Sequence, residues 1–212
     1  MAVASVVIPT GQWLAPDDGT RWWFDSGSAA LDFAYTGSIV AEQADGGPRD
    51  DSGAGVELLH SLDNLIAWLA ERFGSVQGAP RPGDLDDARG LRDSIARLAV
   101  ASSLGEELAA SDIDIVNLFA ATPDVPPALS GGTRQAGHAS VRTQQALSTL
   151  AREAVRLFGP EAGGRIRSCS AEDCSLIYLD TSRAGSRRWC SMQRCGNRAK
   201  VRKHRAKAAS AA

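Results

Sequence analysis

Every cysteine of this chain lies in one short stretch, as Cys169-x4-Cys174, fifteen residues, and then Cys190-x4-Cys195. Two sulfurs on one turn and two more across a hairpin let a small segment close around a single ion. Zinc takes four thiolates in a tetrahedron, and iron accepts the same set. In a reducing compartment, clustered cysteines read as metal ligands before disulfides. The expected metal set is therefore Cys169, Cys174, Cys190 and Cys195, with Zn2+ as the expected ion. Four protein ligands leave no coordination position open, which makes such a site structural and not catalytic.

The larger apolar side chains around these cysteines are few: Ile166, Leu176, Ile177, Tyr178, Leu179, Trp189, Met192 and Val201. So small a set cannot hold a segment of this size by burial alone. A structural zinc contributes on the order of 10–16 kcal/mol in finger peptides near neutral pH. Loss of the metal, or Cys190→Ser, is expected to unfold this segment and leave the rest of the chain folded.

Charge divides at the same place. Residues 165–212 carry 12 Lys/Arg against 3 Asp/Glu, a net of +9, whereas residues 1–164 carry 11 against 22, a net of −11. All the lysines, Lys200, Lys203 and Lys207, fall near the carboxyl end. A basic arm that seeks polyanions is joined to an acidic body that does not. No stretch approaches the ~20 apolar residues of a membrane span, and the first residues lack the basic flank of a signal peptide. A cytoplasmic location with no membrane partner is expected.

The fold class expected is mainly α with a small β element: a helical domain over residues 1–160, then a small four-cysteine zinc module over 165–208 built from a β-hairpin and a carboxyl-terminal basic helix. Residues 4–9 and 21–24 are short apolar runs that suit strands. A first helix is expected over 28–35 and a loop over 44–55. Residues 56–73 show helical periodicity, with Leu58, Leu62, Leu65, Ile66, Leu69 and Phe73 on one stripe. Asp84 can cap the next helix, whose inner face is Ala88, Leu91, Ile95 and Leu98. Ser111 and Asp114 resemble a capping box. A Gly-rich loop over 130–137 precedes a last body helix over 142–158, with Leu147, Leu150, Ala154 and Leu157 inward.

Within the cysteine module, residues 176–179 read as one strand, 180–185 as a turn and 187–189 as the returning strand. Trp189 is expected to pack over the metal core, which is also what an ordinary core tryptophan does. A helix follows Cys195, with Asn197 as its N-cap. Arg198, Arg202 and Arg205 share one face of that helix and Lys200, Lys203 and Lys207 the opposite one. Arginine suits bidentate contact with guanine edges, and lysine suits phosphate. Arg183, Arg187, Arg188 and Arg194 add charge around the hairpin. A helix charged all round fits a groove between phosphates; the bland alternative is a solvated basic tail.

Catalytic patterns are missing. The chain has no His-Glu-x-x-His, Gly-x-Ser-x-Gly, phosphate loop or dinucleotide fingerprint. His60, His138 and His204 read as surface residues, so enzymatic activity is not expected.

The run Cys169…Cys174-Ser-Leu-Ile-Tyr178-Leu-Asp180-Thr-Ser182-Arg183…Arg188-Trp189-Cys190-Ser191…Cys195-Gly196-Asn197-Arg198 resembles the CGNR zinc finger, named for the residues at 195–198. In that family the finger follows an α-rich domain called ABATE, and the proteins are described as stress-induced transcription regulators. The stretch from Arg21-Trp-Trp-Phe24 to Ala30-Leu31-Asp32-Phe33 is similar to the opening of that domain. The family's Val-Asn-Thr is here Ala34-Tyr35-Thr36, with a bulky aromatic in place of the polar Asn. The resemblance implies DNA as a partner of the finger and a small-molecule effector for the body. One short helix reads few base pairs, so a homodimer would double the site. The alternative is a structural zinc knuckle that mediates RNA or protein contacts.

Overall fold

The computed structural model describes residues 8–15, 19–39, 56–126, 141–162 and 164–209. Two short antiparallel strands, β1 (Gln12–Leu14) and β2 (Trp22–Phe24), pair with Trp13 opposite Trp23. Helix α1 (Ala29–Ala34) follows, then α2 (Leu62–Phe73), α3 (Asp84–Leu104), α4 (Ala110–Ala120) and α5 (Thr143–Phe158). A 3-10 turn (Pro160–Ala162) leads to a second antiparallel pair, β3 (Ile166–Ser168) and β4 (Ile177–Leu179). The chain then makes a wide π turn (Met192–Gly196) that runs directly into α6 (Asn197–Ala209).

Helix α1 is the centre of the body, since every one of its residues is buried. It packs on α3 and α5. Ser28 caps it by accepting from the Leu31 amide, and the Ser28 hydroxyl donates to Glu153 of α5 at 2.7 Å. The Ala29 amide donates to the same carboxylate. A negative group at the positive end of a helix is favourable. Burial nonetheless pushes the Glu153 carboxyl above the ordinary range, with the Ser28 and amide hydrogen bonds acting against it.

Asp32 is the one ionisable residue of α1, and it is fully buried. It accepts from the Gly11 amide and from the Ser26 hydroxyl, so it ties β1 and the turn after β2 to the helix. Its carboxyl is pushed up to about 6 by burial, against the pull of Ser26, Gly11 and Arg72.

Several expected features are displaced. Residues 1–7, and with them most of the strand expected over 4–9, lie outside the described residues; the first strand among the described residues is Gln12–Leu14. The loops expected over 44–55 and 130–137 also lie outside them. Helix α2 begins at Leu62 because Ser61 and Asn64 close a reciprocal capping box. Val56 and Leu58 therefore precede the helix and are exposed, while Leu59 is buried. Trp68 and Arg72 join Leu65 and Leu69 on the buried face of α2.

Asp84 does not cap α3; Gly83 occupies that position. Asp84 is instead buried, accepting from the Arg81 amide and from Gln144 of α5 at 2.6 Å. Ser111 likewise lies inside α4, which starts at Ala110 after an Ala109 cap without a side-chain bond. The carboxylate that matters there is Asp112, buried and paired with Arg97 at 2.6 Å. Asp84 and Asp112 thus each hold a partner on another helix. The expected inner faces of α3 and α5 are buried as read: Ala88, Leu91, Ile95 and Leu98, and Leu147, Leu150, Ala154 and Leu157.

The hairpin of the cysteine segment differs most. The partner of β4 is β3, which precedes the first cysteine, and residues 187–189 form no strand. They stay bound to the module by a Ser170 amide bond to the Arg188 carbonyl. This β3–β4 pair packs on α3. Ile166, Leu176, Ile177 and Tyr178 belong to the same buried cluster as Leu91 and Leu150. The Leu179 amide donates to the Ser26 carbonyl at 2.8 Å. The Tyr35 hydroxyl donates to the Ile177 carbonyl at 2.9 Å and accepts from the Ile177 amide at 2.7 Å. The expectation that metal loss spares the body is therefore revised: the two parts share one core.

Tyr35→Phe strands a buried amide and a buried carbonyl, a loss of about 1–3 kcal/mol. Urea unfolding should show one cooperative transition for body and cysteine module, moved to lower urea; two separated transitions would contradict the shared core. The raised Asp32 gives a second expectation. A carboxyl that holds its proton more tightly when folded favours the fold below about pH 4, and that advantage is lost as pH rises to about 6. The stability of the native chain relative to Asp32→Asn should fall across this window, and parallel pH profiles would refute it.

Candidate metal centre and nucleic-acid interface

The first sulfur pair sits on a knuckle that follows β3. The Cys169 amide donates to the Leu176 carbonyl at 2.8 Å, and the Cys174 amide to the Ala171 carbonyl at 3.1 Å, which folds the four intervening residues back on themselves. The second pair uses the π turn. Ser191 caps it by accepting from the Gln193 amide, and the Gly196 amide donates to the Ser191 carbonyl at 3.0 Å. A wide turn of this kind brings residues five apart together, and the Cys190 and Cys195 sulfurs come within 3.4 Å. The x4 spacing has this local cause.

The four Sγ atoms all lie within 4.8 Å of one another, with Cys174 and Cys190 at 3.8 Å. A tetrahedral zinc with bonds of ~2.3 Å places its sulfurs about 3.8 Å apart. The cysteines are free of disulfides, and all but Cys174 are buried. Without a cation the crowding splits them. Hydrogen bonds from Cys174 and Cys190 hold the Cys169 thiol far below its ordinary range, while its proximity pushes Cys174 and Cys190 up. Four adjacent thiolates need a cation, and Zn2+ fits this donor set. A bound zinc would offset half of their charge and cross-link the knuckle to the π turn.

Each residue after Cys195 has a local task. A Cβ on Gly196 would stand 2.7 Å from the Met192 sulfur, so a larger residue there would have to push the Met192 side chain aside. Asn197 is exposed, and its side-chain amide donates to the Gln193 carbonyl at 3.3 Å. It continues the turn and is not the N-cap; Ser191 is. Arg198 is half-buried, with Nη2 donating to the Cys195 sulfur at 3.2 Å and Nη1 paired with Asp173 at 3.2 Å. Arg202 reaches the same carboxylate at 3.5 Å.

The proposed basic contacts thus fall into two sets. Arg187 stacks its guanidinium 4.1 Å from the centre of the Tyr178 ring and donates to the Trp189, Cys190 and Asp25 carbonyls, bracing body to module. Arg194 lies over Trp22 at 4.7 Å. Arg198 and Arg202 face Asp173. The expected arginine face of α6 therefore has two of its members turned toward the cysteine knuckle. Arg183 and Arg188 are exposed around the hairpin, and Lys200, Lys203, Arg205 and Lys207 are exposed on α6. His60 and His204 are exposed, as expected, and His138 lies outside the described residues.

Sequence reading missed Asp173 and Asp180. Asp180 is buried and accepts from the Ser182 amide and hydroxyl and from the Arg187 amide, which shapes the loop before Cys190. Burial opposes its ionisation, but those bonds hold its carboxyl below the ordinary range. The Asp-Thr-Ser run gave a turn signal; nothing local marked Asp173.

Residues 27–161 match the model of the ABATE family, described as "Putative stress-induced transcription regulator". The chain belongs to the ABATE family. Residues 165–208 match the CGNR zinc finger. Comparison with curated proteins finds no match. Neither family description names an enzymatic activity. Among the described residues of this ABATE protein, no helix is long and apolar enough to cross a membrane.

Arg198 touches a ligand sulfur, and groups of that kind commonly tune metal affinity 10- to 100-fold. Arg198→Ala should weaken zinc binding about 10-fold in competition with a chromophoric chelator, and Arg198→Lys should restore part of it. Unchanged affinity in Arg198→Ala would remove this role.

Proposed function

We propose that this chain is a DNA-binding transcription regulator whose zinc centre holds α6 rigid for contact with DNA. One observation carries the reading: α6 has no buried residue, is cationic along its length, and is continuous with the π turn that supplies Cys195. An α-helix is about 10–12 Å across with its side chains, and the major groove is about 12 Å wide. The zinc-bound turn would fix the direction of the helix, and the Asp173 pair with Arg198 and Arg202 would keep its first turns from fraying.

In this reading Lys200, Lys203 and Lys207 contact phosphates, and Arg205, with Arg183 and Arg188 beside the hairpin, borders the DNA. Base reading falls to Arg205 more than to Arg198. The body would sense the effector. A hollow of about 280 Å³ lined by Gln12, Trp13, Trp23, Leu58, Asn64 and Trp68 offers room for a small molecule.

Lys203→Ala and Lys207→Ala should each weaken all DNA about equally and reduce the slope of log K against log salt by about 1. Arg205→Ala should instead narrow the gap between preferred and random DNA. Anisotropy titrations at several salt concentrations read both. An unchanged slope in the lysine variants would overturn the assignment of α6.

A further inference from the structure

A second surface lies where the body meets the finger. A groove of about 770 Å³ runs between β2 and the segment leading to the π turn, with Trp23, Asp25, Arg188, Trp189, Met192 and Gln193 along it. Trp23 is 47% exposed and Met192 52% exposed, which is a large apolar surface to leave in water. Trp23 is nevertheless held in place. It covers Gly11, where a Cβ would collide with its ring, and meets Trp13 edge-on at 5.5 Å. Across the groove Arg188 lies 5.1 Å from the Trp189 ring. The Asp25 carboxylate accepts from the Gly27 amide.

The groove thus offers flat aromatic faces with an exposed guanidinium beside them. That combination suits a planar ring that carries a negative charge, as a nucleotide does. The position singles out its source. Met192 and Gln193 line the groove and begin the turn that continues into α6, so the groove adjoins the base of the basic helix. The segment from 165 onward carries the net charge of +9 that favours such a strand.

We propose that the groove receives one unpaired nucleobase of DNA held on α6, with the ring against Trp23 and its phosphate on Arg188. This rests on the DNA-binding reading above. Stacking on an indole tolerates any base, and a base already unpaired costs least to place there.

The test uses the full zinc-loaded chain and two duplexes, one fully paired and one with a single bulged 2-aminopurine. The native chain should bind the bulged duplex roughly 5- to 100-fold tighter, with a change in 2-aminopurine emission on binding. Trp23→Ala should abolish that preference, while Trp23→Phe should keep part of it. Arg188→Ala should reduce it. Lys203→Ala should weaken both duplexes and preserve the ratio. Thermal melting of Trp23→Ala checks its fold, and Trp23→Phe and Arg188→Ala carry the test if it is unfolded. Equal binding of both duplexes by the native chain, or an unchanged ratio in folded Trp23→Ala, overturns the inference while DNA binding by α6 stands. No binding to either duplex overturns both.

Discussion

Four sulfurs within 4.8 Å of one another set the terms for the carboxyl-terminal third of this protein. Thiolates that close repel strongly in a partly buried site, and thiols there cannot bind one another well enough to compensate. A divalent ion resolves the conflict, and in doing so it would add to the Ser170–Arg188 and Asp173–Arg198 links that already join two segments. One is a knuckle after a short strand; the other is a π turn. The direction of α6 follows from the second, because the turn and the helix are one continuous run of backbone.

The metal does not work on an isolated module. Its strands lie against α3, and Tyr35 of the buried α1 satisfies both backbone groups of Ile177. Tyr35 thus acts as a fastener between body and finger. Arg187 adds a second fastener, reaching across to the Asp25 carbonyl.

Charge in this finger is divided by partner and not by residue type. Arg198 and Arg202 share the carboxylate of Asp173, and Arg187 and Arg194 lie on aromatic rings. A guanidinium is planar and weakly hydrated, which suits it to such half-buried places. Lysine keeps its point charge in water, so Lys200 and Lys203 stay exposed. Arg187, Arg194, Arg198 and Arg202 stabilise the platform, whereas Arg183, Arg188, Arg205 and the lysines face outward.

The amino-acid sequence was enough for features with local causes. The cysteine spacing prescribes the ligand set, apolar periodicity prescribes the inner faces of α3 and α5, and the run of cations prescribes a helix that cannot be buried. Tertiary structure alone decided the rest, because the deciding partners are far apart in the chain. Asp84 serves Gln144 and not its own helix end, Asp112 serves Arg97, and β4 pairs with β3 and not with residues 187–189. Periodicity and capping rules weigh only near neighbours. A buried charge or an unpaired strand is satisfied by whichever partner the packed core presents, and that competition is settled only when the helices meet.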